Sequence, residues 1–380
     1  MNKPIKFKLA ELFCGPGGLS LGALLAQIID SNNNEYSIEP VWANDIDQDT
    51  CKTYARNIHN GHQSQVVCAP VETINFDSMP AFDVLAFGFP CNDFSVVGEQ
   101  KGFNGKYGPL YGYGVKAINT HNPKWFIAEN VSGLQNANDG LAFAKVLSDL
   151  EHAGKGYIVT PHLYKFEEYG VPQMRHRLVI IGTRKDLGLE FKVPAPTTPD
   201  KYVTSREAIE NPPIPENAPN NEITAQSKEV VERLKYIPPG ENAWYEGIPE
   251  HLRLKVKSAK LSQIYKRLDP DRPSYTITGS GGGGTHGYHW VENRALTNRE
   301  RARIQTFPDD FIFEGSKEKV RKQIGMAVPP KAAKIIAEAV LKMFAGMSYP
   351  WVPPKTTNGN GINNGYQQKL SSSARTTTFL

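Results

Sequence analysis

The chain has 380 residues, with 43 Lys and Arg against 39 Asp and Glu, a formal net charge of +4. That length suits two domains, or one large domain with an insert, and a hydrophobic share of 39% leaves an ample core. No run approaches the ~18 apolar residues of a membrane span, and Met1-Asn2-Lys3-Pro4 leads into a strand-like stretch without a signal-peptide core, so a cytoplasmic location is expected.

The first 185 residues read as alternating strands and helices. Phe7-Lys8-Leu9-Ala10-Glu11-Leu12-Phe13 precedes a glycine loop, and Pro40-Val41-Trp42-Ala43 precedes Asn44-Asp45. Asp83-Val84-Leu85-Ala86-Phe87 precedes Gly88, and Trp125-Phe126-Ile127-Ala128 precedes Glu129-Asn130. Leu178-Val179-Ile180-Ile181-Gly182 follows a basic segment. Such buried strands with helices between them predict an α/β fold with a doubly wound, mostly parallel sheet. Ligands in that fold sit at the C-terminal strand ends, where these polar residues fall.

The texture changes near Arg184. Residues 186–293, rich in Pro, Asn and Thr at first and ending near a glycine run at Gly279–Gly284, read as a separate loop-rich domain. Helical patterns return over 294–347, with an N-cap at Leu296-Thr297-Asn298 and helical spacing from Pro330 to Met343. From Ser348 the tail has little to bury and is expected to be disordered.

Four cysteines, Cys14, Cys51, Cys68 and Cys91, form no Cys-x-x-Cys pair and join no His cluster. Neither a metal nor a disulfide framework is expected. The stretch Glu11 to Gly22, with Gly15, Gly17 and Gly18, is a strand, a glycine turn and a helix start. Glycines there let backbone approach a ligand closely. A dinucleotide loop or a purely structural turn would look similar. Asp45 could accept from both ribose hydroxyls, since a carboxylate has spare lone pairs, or merely cap the next helix. Ile46 could cover an adenine face.

Gly88-Phe89-Pro90-Cys91-Asn92-Asp93-Phe94-Ser95, Glu129-Asn130-Val131 and Gln173-Met174-Arg175-His176-Arg177 then occur in order. So do Tyr107-Gly108-Pro109-Leu110-Tyr111, Arg294 through Pro308, and Gln323-Ile324-Gly325-Met326-Ala327-Val328-Pro329-Pro330. This series resembles the bacterial DNA cytosine-C5 methyltransferases of restriction–modification systems, across nearly the whole chain except residues 190–290 and the tail. The resemblance implies a class I, S-adenosylmethionine-dependent methyltransferase domain with a target-recognition domain. It implies that Cys91 attacks cytosine C6, because C5 of the ring is a poor nucleophile until a thiolate has added. Glu129 would hydrogen-bond and protonate N3, which needs a carboxyl with a raised pKa. Arg177 would contact O2, and Arg175 would support the site or the backbone. Phe13, Gly15, Gly17, Gly18, Asp45, Ile46, Pro90, Leu110, Met326 and Val328 would hold the cofactor.

Some positions depart from the pattern. Met326 stands where Asn is usual, Pro70 where many members carry Asp, Asn92 where most carry Gln, and Tyr107 where Arg is usual. Pro70 offers neither a carboxylate nor an N–H to adenine.

The target base must leave the stack before a thiol can reach C6. Between His251 and Arg272 lie Arg253, Lys255, Lys257, Lys260, Lys266 and Arg267, a basic patch suited to phosphate. The glycine run, with Gly282 and Gly283, could approach a groove. Double-stranded DNA is the expected partner, the protein a monomer, with a cognate restriction endonuclease in the same system. Other readings are the same chemistry on transfer RNA, a non-catalytic DNA-binding relative and, more distantly, a dinucleotide oxidoreductase. The last leaves Pro90-Cys91 and Glu129-Asn130 unexplained.

Overall fold

The computed structural model describes residues 4–89, 110–255, 261–279 and 284–356, with backbone only over 136–139. Pro90, Cys91, Lys257, Lys260, Gly282 and Gly283 lie outside the described residues.

In chain order the elements are β1 (Ile5–Leu12), α1 (Gly18–Leu24), β2 (Gln27–Ile29), β3 (Glu35–Asp45), α2 (Gln48–Ile58), β4 (Val66–Cys68) and β5 (Val84–Phe87). Then come α3 (Tyr111–His121), β6 (Trp125–Val131), α4 (Leu141–His152), β7 (Tyr157–Lys165), β8 (Gln173–Met174) and β9 (His176–Arg184). Next are β10 (Val193–Pro194), α5 (Ser205–Glu210), α6 (Lys228–Leu234) and β11 (Ser274–Tyr275). The last are α7 (Asn298–Ile304), α8 (Lys317–Met326), α9 (Pro330–Phe344) and β12 (Trp351–Val352).

The central sheet runs β2-β3-β1-β5-β6-β9-β7, with β4 also on β3. Neighbours from β4 through β6 are parallel. β2 and β9 pair antiparallel with their neighbours. The predicted α/β sheet is therefore present, closed at one end by an antiparallel strand between β6 and β7.

Both sheet faces are apolar, as parallel strands require. Phe7, Leu9, Val84, Ala86, Trp125, Ile127, Val179 and Ile181 face one core with Ala332, Ile336 and Val340 of α9. Ala10, Leu12, Leu85, Phe87, Phe126, Ala128, Leu178 and Ile180 face the other, with Ile118 of α3 and Leu147 of α4. Successive strand residues thus alternate between two buried layers. This explains why the sequence shows apolar runs there rather than polar alternation.

Helix α9 begins with Pro330, whose fixed φ and missing N–H suit the first helical position. It crosses α1 with little clearance. A Cβ on Gly22 would lie 2.4 Å from Pro330 O and 2.7 Å from Lys334 N, both backbone atoms. Gly22→Ala should therefore destabilise the fold by roughly 1–3 kcal/mol, read as a lowered Tm in thermal melts.

The segment after Arg184 builds a small core of its own from Leu234, Ile237, Ile248, Leu252, Tyr288 and Ala295. It joins the sheet domain through the parallel pairing of β11 with β8. The expectation of a disordered tail from Ser348 is corrected for its first residues. Trp351 and Val352 pair with Pro194 and Val193, and the Lys355 N–H donates to His162 Nδ1 at 3.0 Å. Two short apolar residues, too few to signal a strand alone, suffice because a partner strand is waiting.

Candidate active site

The polar residues picked out in the sequence collect at the C-terminal ends of β1, β3, β5 and β6. The glycine loop after β1 is tied to the end of β3 twice. The Cys14 N–H donates to Asn44 O at 3.0 Å, and the Gly15 N–H donates to Asp45 Oδ2 at 3.0 Å. Gly15 and Gly17 take positive φ, 53° and 95°. A Cβ on Gly18 would fall 2.1 Å from Val328 O. The segment after α8 therefore lies directly on the glycine loop, and only glycine permits it.

Asp45 is not the cap of α2. That cap is Asp47, which accepts from the Thr50 N–H at 2.9 Å. The Asp45 carboxylate accepts from the Gly15 and Asp47 N–H groups, at 3.0 Å each. A carboxylate with roughly four lone-pair sites keeps acceptor capacity beyond these two bonds. Burial pushes its pKa up, opposed by those N–H groups. Beside it Ile46 is 69% exposed, a large apolar side chain presented at a strand end. Phe13 and Leu110 are half-buried, each packed against the second core. Met326 is exposed at the end of α8, and Pro70 is exposed just past β4.

Glu129 projects from β6 beside the chain that leads to Cys91. A methyl group on Gly88 would sit 3.4 Å from Glu129 Oε2. Arg177 Nε lies 3.0 Å from Glu129 Oε1, each side chain 14% exposed. Burial pushes the Glu129 carboxyl above the usual carboxylate range, and the positive charges of Arg177 and Arg175 pull against that rise. A carboxyl pKa raised in this way favours the protonated form that a proton donor needs.

The next residue is one that sequence reasoning left without a role. Asn130 is buried, and its Nδ2 donates to Phe89 O at 3.1 Å while its Oδ1 accepts from the Val131 N–H at 2.8 Å. It therefore fixes the last described residue before Pro90-Cys91. Its position directly after Glu129 was the available signal. Asn130→Ala should lower turnover by about tenfold, the scale of a lost buried hydrogen bond, with cofactor affinity unchanged. Single-turnover kinetics and calorimetric binding would separate the two.

The two arginines of the basic segment do not share a role. Arg175 lies in the gap between β8 and β9 and is 1% exposed. Its guanidinium donates to Ile277 O at 3.1 Å and to Gly325 O and Ala327 O at 3.0 Å. It knits the end of α8, the segment after β11 and the sheet together. Of the two, Arg177 makes the ion pair with Glu129.

The expected basic patch is thinner than its charge count. Arg267 is 3% exposed, and its guanidinium donates to the carbonyls of His289 at 2.5 Å and Leu234 at 2.7 Å. It is not available to a phosphate, because it satisfies carbonyls of the small core. Arg253 donates to Ile248 O and Glu246 O, at 2.8 and 2.9 Å. Lys255 is exposed.

The chain matches the family of C-5 cytosine-specific DNA methylases over residues 7–342. It belongs to that family. Among curated relatives, the type II methyltransferase M.BbvI of Brevibacillus brevis is 59% identical over 92% of this chain and 95% of its own length. The type II methyltransferase M.NgoFVII of Neisseria gonorrhoeae is 41% identical over 90% and 88%. Among solved structures, a candidate DNA modification methyltransferase encoded within an E. coli prophage aligns with TM-score 0.63 at 24% identity, covering 89% of this chain and 99% of that one. The Entamoeba histolytica methyltransferase EhMeth aligns at 0.57 and 15%, covering 90% and 98%. These two likenesses establish the fold.

As a C-5 cytosine DNA methylase, the chain belongs to an S-adenosylmethionine-dependent family. Among the described residues no group of three His, Cys, Asp or Glu side chains could hold a metal, and no helix is long and apolar enough to cross a membrane.

Proposed function

We propose that this methylase modifies cytosine C5 within a specific site of duplex DNA, with Cys91 as nucleophile and S-adenosylmethionine as methyl donor. The observation that carries the reading is the Glu129–Arg177 pair, 3.0 Å apart at the strand edge beside Gly88, with Cys91 three residues beyond that glycine.

The residues fit the proposed cofactor. Asp45 has acceptor capacity for ribose hydroxyls, Ile46 offers an exposed apolar face for adenine, and Gly15 to Gly18 leave backbone uncovered by side chains. When bound, the cofactor would supply an electrophilic sulfonium methyl group. Pro70 takes no adenine amino group, so Ile46, Phe13 and backbone carry that end.

The target cytosine leaves the stack at a cost of a few kcal/mol. Glu129 gives a proton to N3 and Arg177 holds O2, which together draw electrons from the ring. Cys91 adds to C6 as the thiolate, and the electron pair displaced from the C5–C6 bond becomes available at C5. After the transfer a base such as water removes the C5 proton, elimination restores Cys91, and N3 returns its proton to Glu129. Arg175 acts by holding the carbonyls of Ile277, Gly325 and Ala327 around this centre. Residues 186–293 act as the target-recognition domain, with Lys255, Arg253, Lys257, Lys260, Gly282 and Gly283 as DNA contacts. The type II methyltransferase names of the relatives support a place in a restriction–modification system, protecting DNA from a cognate endonuclease.

The test is incubation with methyl-labelled cofactor and either DNA or transfer RNA, then trapping on 5-fluorocytosine DNA. Label in DNA as 5-methylcytosine and a covalent adduct lost in Cys91→Ser are expected. Label entering only RNA, or an adduct that survives Cys91→Ser, would sink the reading.

A further inference from the structure

Two thiols outside the catalytic residues meet at the Asp45–Ile46 corner. Cys51 lies in the first turn of α2, buried, and its Sγ donates to Asp45 O at 3.5 Å. Cys68 ends β4 directly across the ladder from Asp45, exposed, and its Sγ donates to Ile46 O at 3.8 Å. The two sulfurs therefore sit on the carbonyls of consecutive residues, with α2 packed against β4. Both acceptor carbonyls belong to the residues read above as the ribose and adenine contacts.

We propose that Cys51 and Cys68 form an oxidisable pair, joined as a disulfide by hydrogen peroxide, whose closure loosens the Asp45–Ile46 corner and weakens cofactor binding. The effect on the cofactor rests on the reading of that corner given above; the thiol pair itself does not.

Burial keeps Cys51 protonated, the neighbouring Cys68 thiol and Asp45 charge adding to the effect, so the exposed Cys68 meets the oxidant first. Its thiolate attacks one peroxide oxygen, an S–O bond forms, the O–O bond breaks, and hydroxide leaves to take up the thiol's proton. Cys51 sulfur then attacks the sulfenic sulfur. An S–S bond forms, the S–O bond breaks, and the oxygen departs as water with the Cys51 proton. Two thiols lose two electrons, and one peroxide becomes two waters. Disulfides in a reducing compartment are transient and reversible by thiol exchange, as a sensing pair requires.

Closure has a structural consequence at the corner. The sulfurs must approach to about 2.05 Å, and both S–H donors disappear. Asp45 O then keeps the Ala69 N–H, at 3.0 Å, without the thiol. The peptide that sets the Asp45 carboxylate and the Ile46 side chain must follow the moving sulfurs.

The experiment compares reduced and peroxide-treated protein by peptide mapping after alkylation and by calorimetric affinity for S-adenosylhomocysteine. Binding is read rather than turnover because oxidation of Cys91 would itself stop turnover. A peptide linking Cys51 to Cys68 is expected, with affinity weaker by about tenfold, the scale of one or two lost hydrogen bonds. Dithiothreitol should restore it, and Cys68→Ser and Cys51→Ala should show neither change. Absence of the linked peptide, oxidation of Cys68 alone, or a linked peptide with unchanged affinity would each overturn the proposal. If the reduced protein fails to bind S-adenosylhomocysteine, the cofactor reading and the proposed effect on it both fall, while the peptide map still decides whether the pair forms.

Discussion

Replacement of Glu129 by Gln should reduce kcat/KM by roughly 10²–10⁴, the range assigned to a positioned proton donor, while DNA affinity stays near that of the parent. An amide fills the same space and still faces Arg177, but it has no proton to give to N3. The pH profile should separate this from simple misplacement. Burial holds the Glu129 carboxyl above the ordinary carboxylate range, against the pull of Arg177 and Arg175. In the parent, activity that needs the protonated form is complete below that raised pKa and declines as pH rises through it. The Gln variant should lose this limb. Glu129→Ala adds a second effect, because it leaves Arg177, 14% exposed, without its carboxylate. Removing one partner of a largely buried pair costs stability through the uncompensated charge, so the Ala variant should melt lower than the Gln variant. If the Glu129→Gln protein retained parental kcat/KM, N3 protonation would need another donor.

Much of this site was legible because the fold puts chemistry at strand ends. Apolar runs such as Val84–Phe87 and Trp125–Ala128 announce strands buried on both faces, and the polar residue after each run lands on one sheet edge. What the sequence hid are contacts closed by distant partners. Arg175 and Arg177 alternate as strand neighbours do, yet the ladder changes partners between β8 and β9. Arg175 turns to carbonyls 102 and 150 residues away, at Ile277 and Gly325. Arg267 reads as a surface cation and is instead a buried clasp for the carbonyls of Leu234 and His289. Arginine is suited to that use, since its planar fork carries five donors and is weakly hydrated for a cation. Local charge counting cannot separate the two uses.

Glu11 was the largest such omission, and it carries the strongest expected pH effect on stability. It sits near the end of β1, 3% exposed, with Ala43 and Ala86 beside it in the sheet. Ser20 Oγ in α1 and Tyr54 OH in α2 both donate to its Oε2, the latter at 3.3 Å, and the phenol is 2.6 Å from Ser20 Oγ. This cluster joins the helix after the glycine loop to the helix after Asp45, beneath both. Burial pushes the Glu11 carboxyl from 4.5 up to about 8, with its hydrogen bonds to Ser20 and Tyr54 opposing the shift. In the unfolded chain it ionises at its ordinary value. Between those two pKa values the folded state binds more protons than the unfolded state, so stability falls as pH rises. The stabilisation is complete below about pH 4.5, is lost progressively up to about pH 8, and amounts to several kcal/mol in order of magnitude. Glu11→Gln keeps a neutral hydrogen-bonding group and has nothing to ionise. Denaturant unfolding at pH 5.5, 7 and 8.5 should show the parent losing stability with pH and the Gln variant losing much less, with the two curves diverging most at the alkaline end. Parallel curves would show that Glu11 is ionised in the folded protein, its charge held by Ser20 and Tyr54 alone. Divergence would establish a neutral carboxyl under the glycine loop, placed where an anion would otherwise face Asp45.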